Sequence, residues 1–414
     1  MKKQFGLLGE KLGHSHSPLL HGLLGEYDYR LIEKKPEELD DFLRSGSFDG
    51  LNVTIPYKQA VIPYLSDMSP RARQIGSVNT ILRRADGTLY GDNTDAAGMQ
   101  AALDSIQAKL NGRKVLVLGS GGTSLTACYV VHQAGGTPMV ISRKGENTYD
   151  DLEKHRDAAG LINATPVGMY PQAEASPVDV SRLPHLQFVM DAVYNPLRTR
   201  LLLQAQELGI PCVGGLTMLV WQAAEACRLF TGRAVADDLI KEAEEALRRR
   251  VTNLAIIGMP GAGKSSIGRR VAKALDMPLV DLDQEIVREA GKPIPQIFAE
   301  EGESGFRKRE AELLRRFALQ GGQVLVAGGG TPIRPENREY LRMNSLVVHL
   351  TRPLQSLPTA GRPISQTRSL EELWQERRPL YAACADETLA NTTFAATIKA
   401  MEEKYCEAVR SQRP

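Results

Sequence analysis

Asn253-Leu254-Ala255-Ile256-Ile257-Gly258-Met259-Pro260-Gly261-Ala262-Gly263-Lys264-Ser265 is an apolar run closed by G-x-x-x-x-G-K-S, and the helix-forming stretch SIGRRVAKAL follows from Ser266. Strand, glycine loop and helix in that order let backbone N–H groups wrap a β-phosphate, while the helix N-terminus adds the positive end of its dipole. In that geometry Lys264 bridges the β- and γ-phosphates and Ser265 ligates Mg²⁺. A chance glycine-rich turn would have to supply all four fixed positions in the required context. The stretch therefore predicts a nucleoside triphosphate site, for ATP or GTP, with Gly261, Ala262, Gly263, Lys264, Ser265 and Ser266 as its candidate residues.

Working outward, short apolar runs alternate with amphipathic helical stretches along most of the chain. They include Val115 to Leu118, Met139 to Ile141, Leu161 to Asn163, Phe188 to Asp191, Val324 to Ala327 and Leu346 to Leu350. Strands of this length separated by helices indicate βαβ units and mostly parallel sheets. Two separate strand–glycine-turn–helix units begin, at Val115 and at Leu254, which predicts two nucleotide-binding domains instead of one large sheet. The fold class is α/β. Ala234 to Leu247 reads as a helix and Arg248 to Arg250 as its basic stop, so the boundary is placed near residue 250 with 248–253 as a short linker.

Composition narrows the classes of function. The 414 residues suggest roughly two to three domains at ~150 each. A net charge of +2 and 6% aromatic residues argue against a nucleic-acid partner. No stretch approaches the ~20 apolar residues of a membrane span. The five cysteines are odd in number and never spaced C-x-x-C, against a disulfide framework or a zinc site. The start lacks a signal-peptide apolar segment. These features predict a cytoplasmic protein with small-molecule partners, no membrane partner and no readable oligomeric state.

Beyond the phosphate loop, Asp281-Leu282-Asp283 ends a predicted strand, which would set both carboxylates on one side of it. One would serve the metal's water shell and the other an acceptor hydroxyl, against the plain alternative of a solvated strand end. Arg307 in Gly305-Phe306-Arg307-Lys308-Arg309-Glu310 offers a guanidinium, Gly328-Gly329-Gly330 permits close backbone approach, and Arg362-Pro363 and Arg377-Arg378-Pro379-Leu380-Tyr381 follow. Together these motifs resemble shikimate kinase, from Leu254 to about Asp386. The resemblance implies ATP and Mg²⁺, with Lys264 and Ser265 on the nucleotide and Asp281 behind the metal through water. Asp283 would hold the substrate hydroxyls and help to deprotonate the acceptor. Arg307 and Arg377 would grip a carboxylate, Gly329 and Gly330 would line its pocket, and Arg362 would reach ATP from a lid. The segment from Thr351 to Ser365 is shorter than the family's usual lid.

In the first half, Gly119-Ser120-Gly121-Gly122-Thr123-Ser124 supplies two glycines of G-x-G-x-x-G, with Ser124 at the third position. The following strand ends in Ser142-Arg143-Lys144, and a basic residue there suits the 2′-phosphate of NADP. Polar clusters fill the first hundred residues: Gly13-His14-Ser15-His16-Ser17, Asn52-Val53-Thr54-Ile55-Pro56-Tyr57-Lys58, Ser77-Val78-Asn79-Thr80 and Asp92-Asn93-Thr94-Asp95. The two loop histidines lack the ligand spacing of a metal site. With Asn163-Ala164-Thr165-Pro166, Asp191-Ala192-Val193-Tyr194 and Gly215-Leu216-Thr217-Met218, these clusters resemble shikimate dehydrogenase over about Phe5 to Leu247. That resemblance implies Ser15 and Ser17 on a substrate carboxylate and Thr54, Asn79 and Gln222 on its hydroxyls. Lys58 and Asp95 would be the catalytic pair with Tyr194 nearby. Gly119, Gly121, Gly122, Arg143, Lys144 and Thr165 would meet NADP(H), with Gly215 and Met218 at the nicotinamide.

Both resemblances together imply a bifunctional enzyme that reduces 3-dehydroshikimate to shikimate with NADPH and phosphorylates shikimate with MgATP. The expected domains are a substrate-binding domain of 1–98 completed by 216–247, a Rossmann domain of 99–215, and a phosphate-loop kinase domain of 254–414. The competing readings are a quinate dehydrogenase, a chain with one active half (the kinase half being the weaker), and a metabolite sensor. A sensor would have lost catalytic groups, yet Lys58, Asp95, Lys264 and Asp283 are all present.

Overall fold

The structure, a computed structural model, describes residues 3–13, 15–357 and 369–411. Two expected features, His14 and the lid residue Arg362, lie outside the described residues. The chain forms two compact units. The first holds the described residues before Asn195 together with Thr199–Leu247, and the second holds Asn195–Arg198 and the described residues from Arg248 onward.

The first unit contains two sheets. One has the order β2-β1-β3-β5-β6-β4, from β1 (Gln4–Gly9), β2 (Asp28–Glu33), β3 (Gly50–Val53), β4 (Asp67–Met68), β5 (Thr80–Arg83) and β6 (Leu89–Asp92). β1 is parallel to β2 and β3, whereas β5 runs antiparallel to β3 and β6. The other is fully parallel, in the order β11-β10-β9-β7-β8, from β7 (Lys114–Leu118), β8 (Thr137–Ile141), β9 (Gly160–Asn163), β10 (Phe188–Asp191) and β11 (Cys212–Val213). Strand side chains alternate between faces, so a run buried on both faces must be apolar throughout. Val115 and Val117 enter one core and Leu116 and Leu118 the other.

The second unit is one parallel sheet, β13-β14-β12-β15-β16, from β12 (Asn253–Ile257), β13 (Leu279–Asp281), β14 (Val324–Val326), β15 (Ser345–Thr351) and β16 (Glu387–Ala390). Here too Ala255 and Ile257 serve one core while Leu254 and Ile256 serve the other.

Three local expectations are corrected. Asp281 ends β13, but Asp283 lies in the first turn of the helix Leu282–Ala290, so helix geometry and not strand alternation relates the two carboxylates. The helix expected to stop at Leu247 spans Asp237–Val251, through the arginines taken as its stop and most of the linker. Cations suit a helix C-terminus, so Arg248 to Arg250 favour its last turn without ending it. The boundary placed between residues 98 and 99 falls inside the helix Asp95–Ser105.

Candidate active sites

At the end of the first sheet, Lys58 Nζ donates to Asp95 Oδ2 at 2.5 Å, and both side chains are largely buried. Asp95 opens the helix Asp95–Ser105, where the dipole favours a carboxylate. Its other oxygen, Oδ1, accepts from Asn79 Nδ2 at 2.8 Å. The Asn79 amide oxygen takes the Thr94 backbone N–H at 2.7 Å and the Thr80 hydroxyl at 3.1 Å. Asn79 thus spends its side chain on holding Asp95, a positioning task that the sequence alone did not separate from substrate contact. Upstream, Asp92 accepts two bonds from Arg71, at 2.7 and 2.9 Å, and Arg71 also binds Glu225 at 2.8 Å. That network fastens the helix Gly215–Thr231, which carries Met218 and Gln222, to the strand leading into Asp95. The sequence reading missed it because its members lie far apart in the chain.

Ser15 donates to Ser17 through the hydroxyls at 3.2 Å, and Ser17 opens the helix Ser17–Leu24. Thr54 directly follows β3, within the loop leading to Lys58. Gln222 donates to the Leu219 carbonyl at 2.9 Å, and the Tyr194 ring lies 6.0 Å from that of His16. Burial raises the Tyr194 hydroxyl above its usual range.

The glycine turn meets this site directly. Gly122 starts the helix Gly122–Gln133, and a methyl placed on it would stand 2.6 Å from Ser77 Oγ and 3.4 Å from Lys58 Cδ. Gly119 has φ +110°, and a Cβ there would lie 3.0 Å from Thr165. Ser124 explains the departure from G-x-G-x-x-G: it is buried, and its hydroxyl donates to the Gly119 carbonyl at 2.7 Å. Thr165 donates to Asn163 at 2.7 Å, and Asn163 in turn donates to the buried Asp191 at 2.9 Å. Burial, against hydrogen bonds from Thr199, Val193 and Asn163, pushes the Asp191 carboxyl up to about 7. Arg143 and Lys144 are exposed just past β8, and the Ser142 hydroxyl donates to the Lys144 carbonyl. Gly215 packs against the Ala192 carbonyl with no room for a side chain. An open glycine turn, a helix N-terminus and a basic pair past the next strand fit a phosphorylated dinucleotide.

In the second unit, a cleft of about 600 Å³ is lined by Lys264, Asp283, Arg307, Gly329, Gly330 and Arg377 among others. Gly258, Gly261 and Gly263 all adopt positive φ, and Lys264 Nζ donates to the Gly258 and Met259 carbonyls at 3.0 and 3.1 Å. Burial pushes the Asp283 carboxyl up to about 6; Lys264 and Arg307 oppose the shift, while Asp281 and Glu310 reinforce it. Glu310 is fully buried and accepts from Arg307 at 2.8 Å and from the Thr331 hydroxyl at 2.6 Å. A Cβ on Gly328 would stand 2.8 Å from Glu310 and 3.1 Å from Asp283, so this glycine brings backbone against both carboxylates. Tyr381 donates to the Gly329 carbonyl at 2.5 Å, and the buried Arg377 has a guanidinium Nε with no hydrogen-bond partner among the described residues. Asn391 donates to the Ala262 carbonyl at 2.7 Å. Glu310 was legible only as part of a motif, and Asn391 carried no motif at all. The loop and its lysine fit a triphosphate; Ser265, exposed at the mouth, and Asp281, buried at the end of β13, are the candidate Mg²⁺ groups.

Family models match the chain in three places. They are the shikimate dehydrogenase substrate binding domain at residues 7–81, the shikimate 5′-dehydrogenase C-terminal domain at 215–243 and shikimate kinase at 260–409. A shikimate dehydrogenase (NADP(+)) of Thermus thermophilus is 39% identical over 248 residues, spanning 55% of this chain and 92% of that protein. The chain belongs to the shikimate dehydrogenase family. It also carries a shikimate kinase domain, so both halves of the sequence reading stand. A solved shikimate 5-dehydrogenase, also from Thermus thermophilus and in complex with NADP(H) and shikimate, is 35% identical with a TM-score of 0.54 over 58% of this chain and 98% of that one. A quinate dehydrogenase from Corynebacterium glutamicum in complex with NAD is 31% identical, with a TM-score of 0.52 over 58% of this chain and 98% of its own.

Proposed function

We propose that this dehydrogenase unit reduces 3-dehydroshikimate to shikimate with NADPH, and that the kinase unit phosphorylates shikimate to shikimate 3-phosphate with MgATP. The observation that carries this reading is that each unit brings its candidate catalytic groups together. Lys58 and Asp95 stand 2.5 Å apart beside the glycine turn, and Asp283 is buried in the cleft that holds Lys264.

In the first site, NADPH supplies the hydride when bound. Lys58, held by Asp95, gives the proton to the carbonyl oxygen as negative charge develops there, and the Asp95 carboxylate steadies the ammonium. Ser15 and Ser17 receive the substrate carboxylate. Thr54 and Gln222 face its hydroxyls, with Asn79 behind them holding Asp95 and Tyr194 at the edge. Gly119, Gly121, Gly122 and Thr165 receive the pyrophosphate side, Arg143 and Lys144 the 2′-phosphate, and Gly215 and Met218 the nicotinamide.

In the second site, Asp283 takes the proton of the attacking hydroxyl, and Lys264 balances the charge of the transferred phosphoryl group. Arg307, oriented by Glu310, and Arg377 hold the carboxylate, while Gly329 and Gly330 line its pocket. The residues from Gly261 to Ser266 cradle the nucleotide, with Ser265 and Asp281 serving Mg²⁺. The exposed Arg143-Lys144 pair favours NADP over NAD and so disfavours the quinate reading. The protein acts on small molecules in the cytoplasm, with no membrane or nucleic-acid partner.

The test gives purified protein 3-dehydroshikimate with NADPH, and then ATP with Mg²⁺, while absorbance at the NADPH band and ADP release are followed separately. Both signals are expected. A chain silent in both would be a sensor, and a chain silent in one would have a single working half. Faster turnover with quinate and NAD would replace the first assignment.

A further inference from the structure

We propose that Tyr29 and Thr80 are positioning residues in a hydrogen-bond relay that crosses the first sheet and ends on Asp95 of the Lys58–Asp95 pair. The proposal rests on the dehydrogenase reading above and adds to it Tyr29, which no motif named, and Thr80, which stood in the Ser77–Thr80 cluster without a role.

The relay crosses the first sheet. Tyr29 on β2 donates its hydroxyl proton to Asn52 Oδ1 at 2.7 Å. Asn52 on β3 donates through Nδ2 to Thr80 Oγ1 at 3.1 Å, the two residues being directly opposed across β3 and β5. Thr80 donates to Asn79 Oδ1 at 3.1 Å, and Asn79 Nδ2 donates to Asp95 Oδ1 at 2.8 Å. Lys58 closes the other side of the same carboxylate at 2.5 Å.

The direction of donation is fixed by neighbours. The Thr94 backbone N–H points at Asn79 Oδ1, so the Asn79 amide nitrogen must face Asp95. Asn52 Nδ2 also faces the Asn79 carbonyl, which leaves Oδ1 for Tyr29. Thr80 Oγ1, accepting from Asn52, lies 3.1 Å from Asn79 Oδ1 and 3.2 Å from the Thr94 hydroxyl, which itself reaches Asn79 Oδ1 at 3.2 Å, so both routes from Thr80 end on the Asn79 amide oxygen. Asn52, Asn79, Thr80 and Asp95 are all at most 6% exposed. In a buried row each bond polarises the next, and water does not short-circuit it. A packing role alone would not require four consecutive polar side chains with a common direction in a sheet interior, where each must be satisfied to avoid a desolvation cost.

The experiment uses the full chain with 3-dehydroshikimate and NADPH, with ATP-dependent phosphorylation of added shikimate as the check that the protein is intact. Tyr29→Phe keeps the ring stacked on His21, whose centroid is 3.9 Å away, and removes only the hydroxyl. Its kcat is expected to fall about tenfold, the equivalent of one ordinary hydrogen bond lost from the transition state, with KM for both substrates within about twofold. Thr80→Ala should show the same split, Thr80→Ser should recover the wild-type kcat, and Tyr29→Phe combined with Thr80→Ala should be no worse than either alone. Raised KM with unchanged kcat, or a double variant whose loss is the product of the two singles, would overturn the relay. If Tyr29→Phe does not fold, the Thr80→Ala and Thr80→Ser pair decides by the same split. A wild type inert toward 3-dehydroshikimate overturns the functional reading itself, a result distinct from an active wild type with indifferent variants.

Discussion

Asp283 shows how surroundings set a single group's chemistry. Burial and the nearby Asp281 and Glu310 charges outweigh Lys264 and Arg307, and the carboxyl is pushed up to about 6. A raised carboxyl is protonated below that value, and only its ionised form accepts a proton from a hydroxyl. The kcat/KM for shikimate phosphorylation is therefore expected to fall as pH drops through about 6, read from a pH profile of ADP release. Asp283→Asn cannot accept the proton at any pH. It should lower phosphoryl transfer by roughly 10²- to 10⁴-fold while MgATP still binds, as equilibrium dialysis would show. The sequence displayed Asp283 and the charged groups Lys264, Asp281 and Arg307 plainly, but not the burial that raises the carboxyl. Glu310 lies one turn after Arg307 in the part of Ile294–Ala318 beyond the kink at Gly302, a spacing visible in the sequence, whereas its approach to Gly328 is tertiary.

At the scale of elements, the close packing of the helices Asp95–Ser105 and Gly215–Thr231 depends on Gly98, where a methyl would run into the Met218 carbonyl and crowd Gln222. Backbone cannot move aside as a flexible side chain can. Gly98→Ala is therefore expected to cost about 1–3 kcal/mol of stability, measured by urea unfolding, and to raise KM for NADPH because Met218 shifts. Ser124→Ala should cost less, about 1 kcal/mol, since it leaves the Gly119 carbonyl without its hydroxyl donor. The long parallel strands were legible because burial on both faces demands unbroken apolar runs such as Val115 to Leu118. Others left no such trace. The two-residue strands β4 and β11 are too short for any periodicity, whereas the stretch Gly145 to Gly160 reads as short for a full βα unit and holds only the 3₁₀ helix Tyr149–His155. Asp281 was placed rightly at a strand end, whereas Asp283 was misplaced because the change from strand to helix falls between the two.

At the scale of the whole molecule, each unit has apolar core clusters of its own among the described residues. Phe5 to Phe230 supply those of the first, and Leu254 to Val409 those of the second. The candidate catalytic groups divide the same way: Lys58 and Asp95 belong to the first unit, and Lys264 and Asp283 to the second. The sequence announced this division through its two glycine turns. It could not place the short segment Asn195–Arg198, which follows Tyr194 in the chain yet belongs to the second unit, because chain order says nothing of where a loop packs. With each reaction's groups confined to one unit, the two activities should be separable by single substitutions. Lys58→Ala removes the proton donor and is expected to abolish NADPH oxidation, with ATP-dependent phosphorylation of supplied shikimate unchanged. Lys264→Ala should do the reverse. Mixing the two inert variants with 3-dehydroshikimate, NADPH and MgATP should then restore the complete sequence, because shikimate released by one chain diffuses to the other. Failure of the mixture to form phosphorylated product, with each single activity intact, would mean that the intermediate does not leave the chain that makes it.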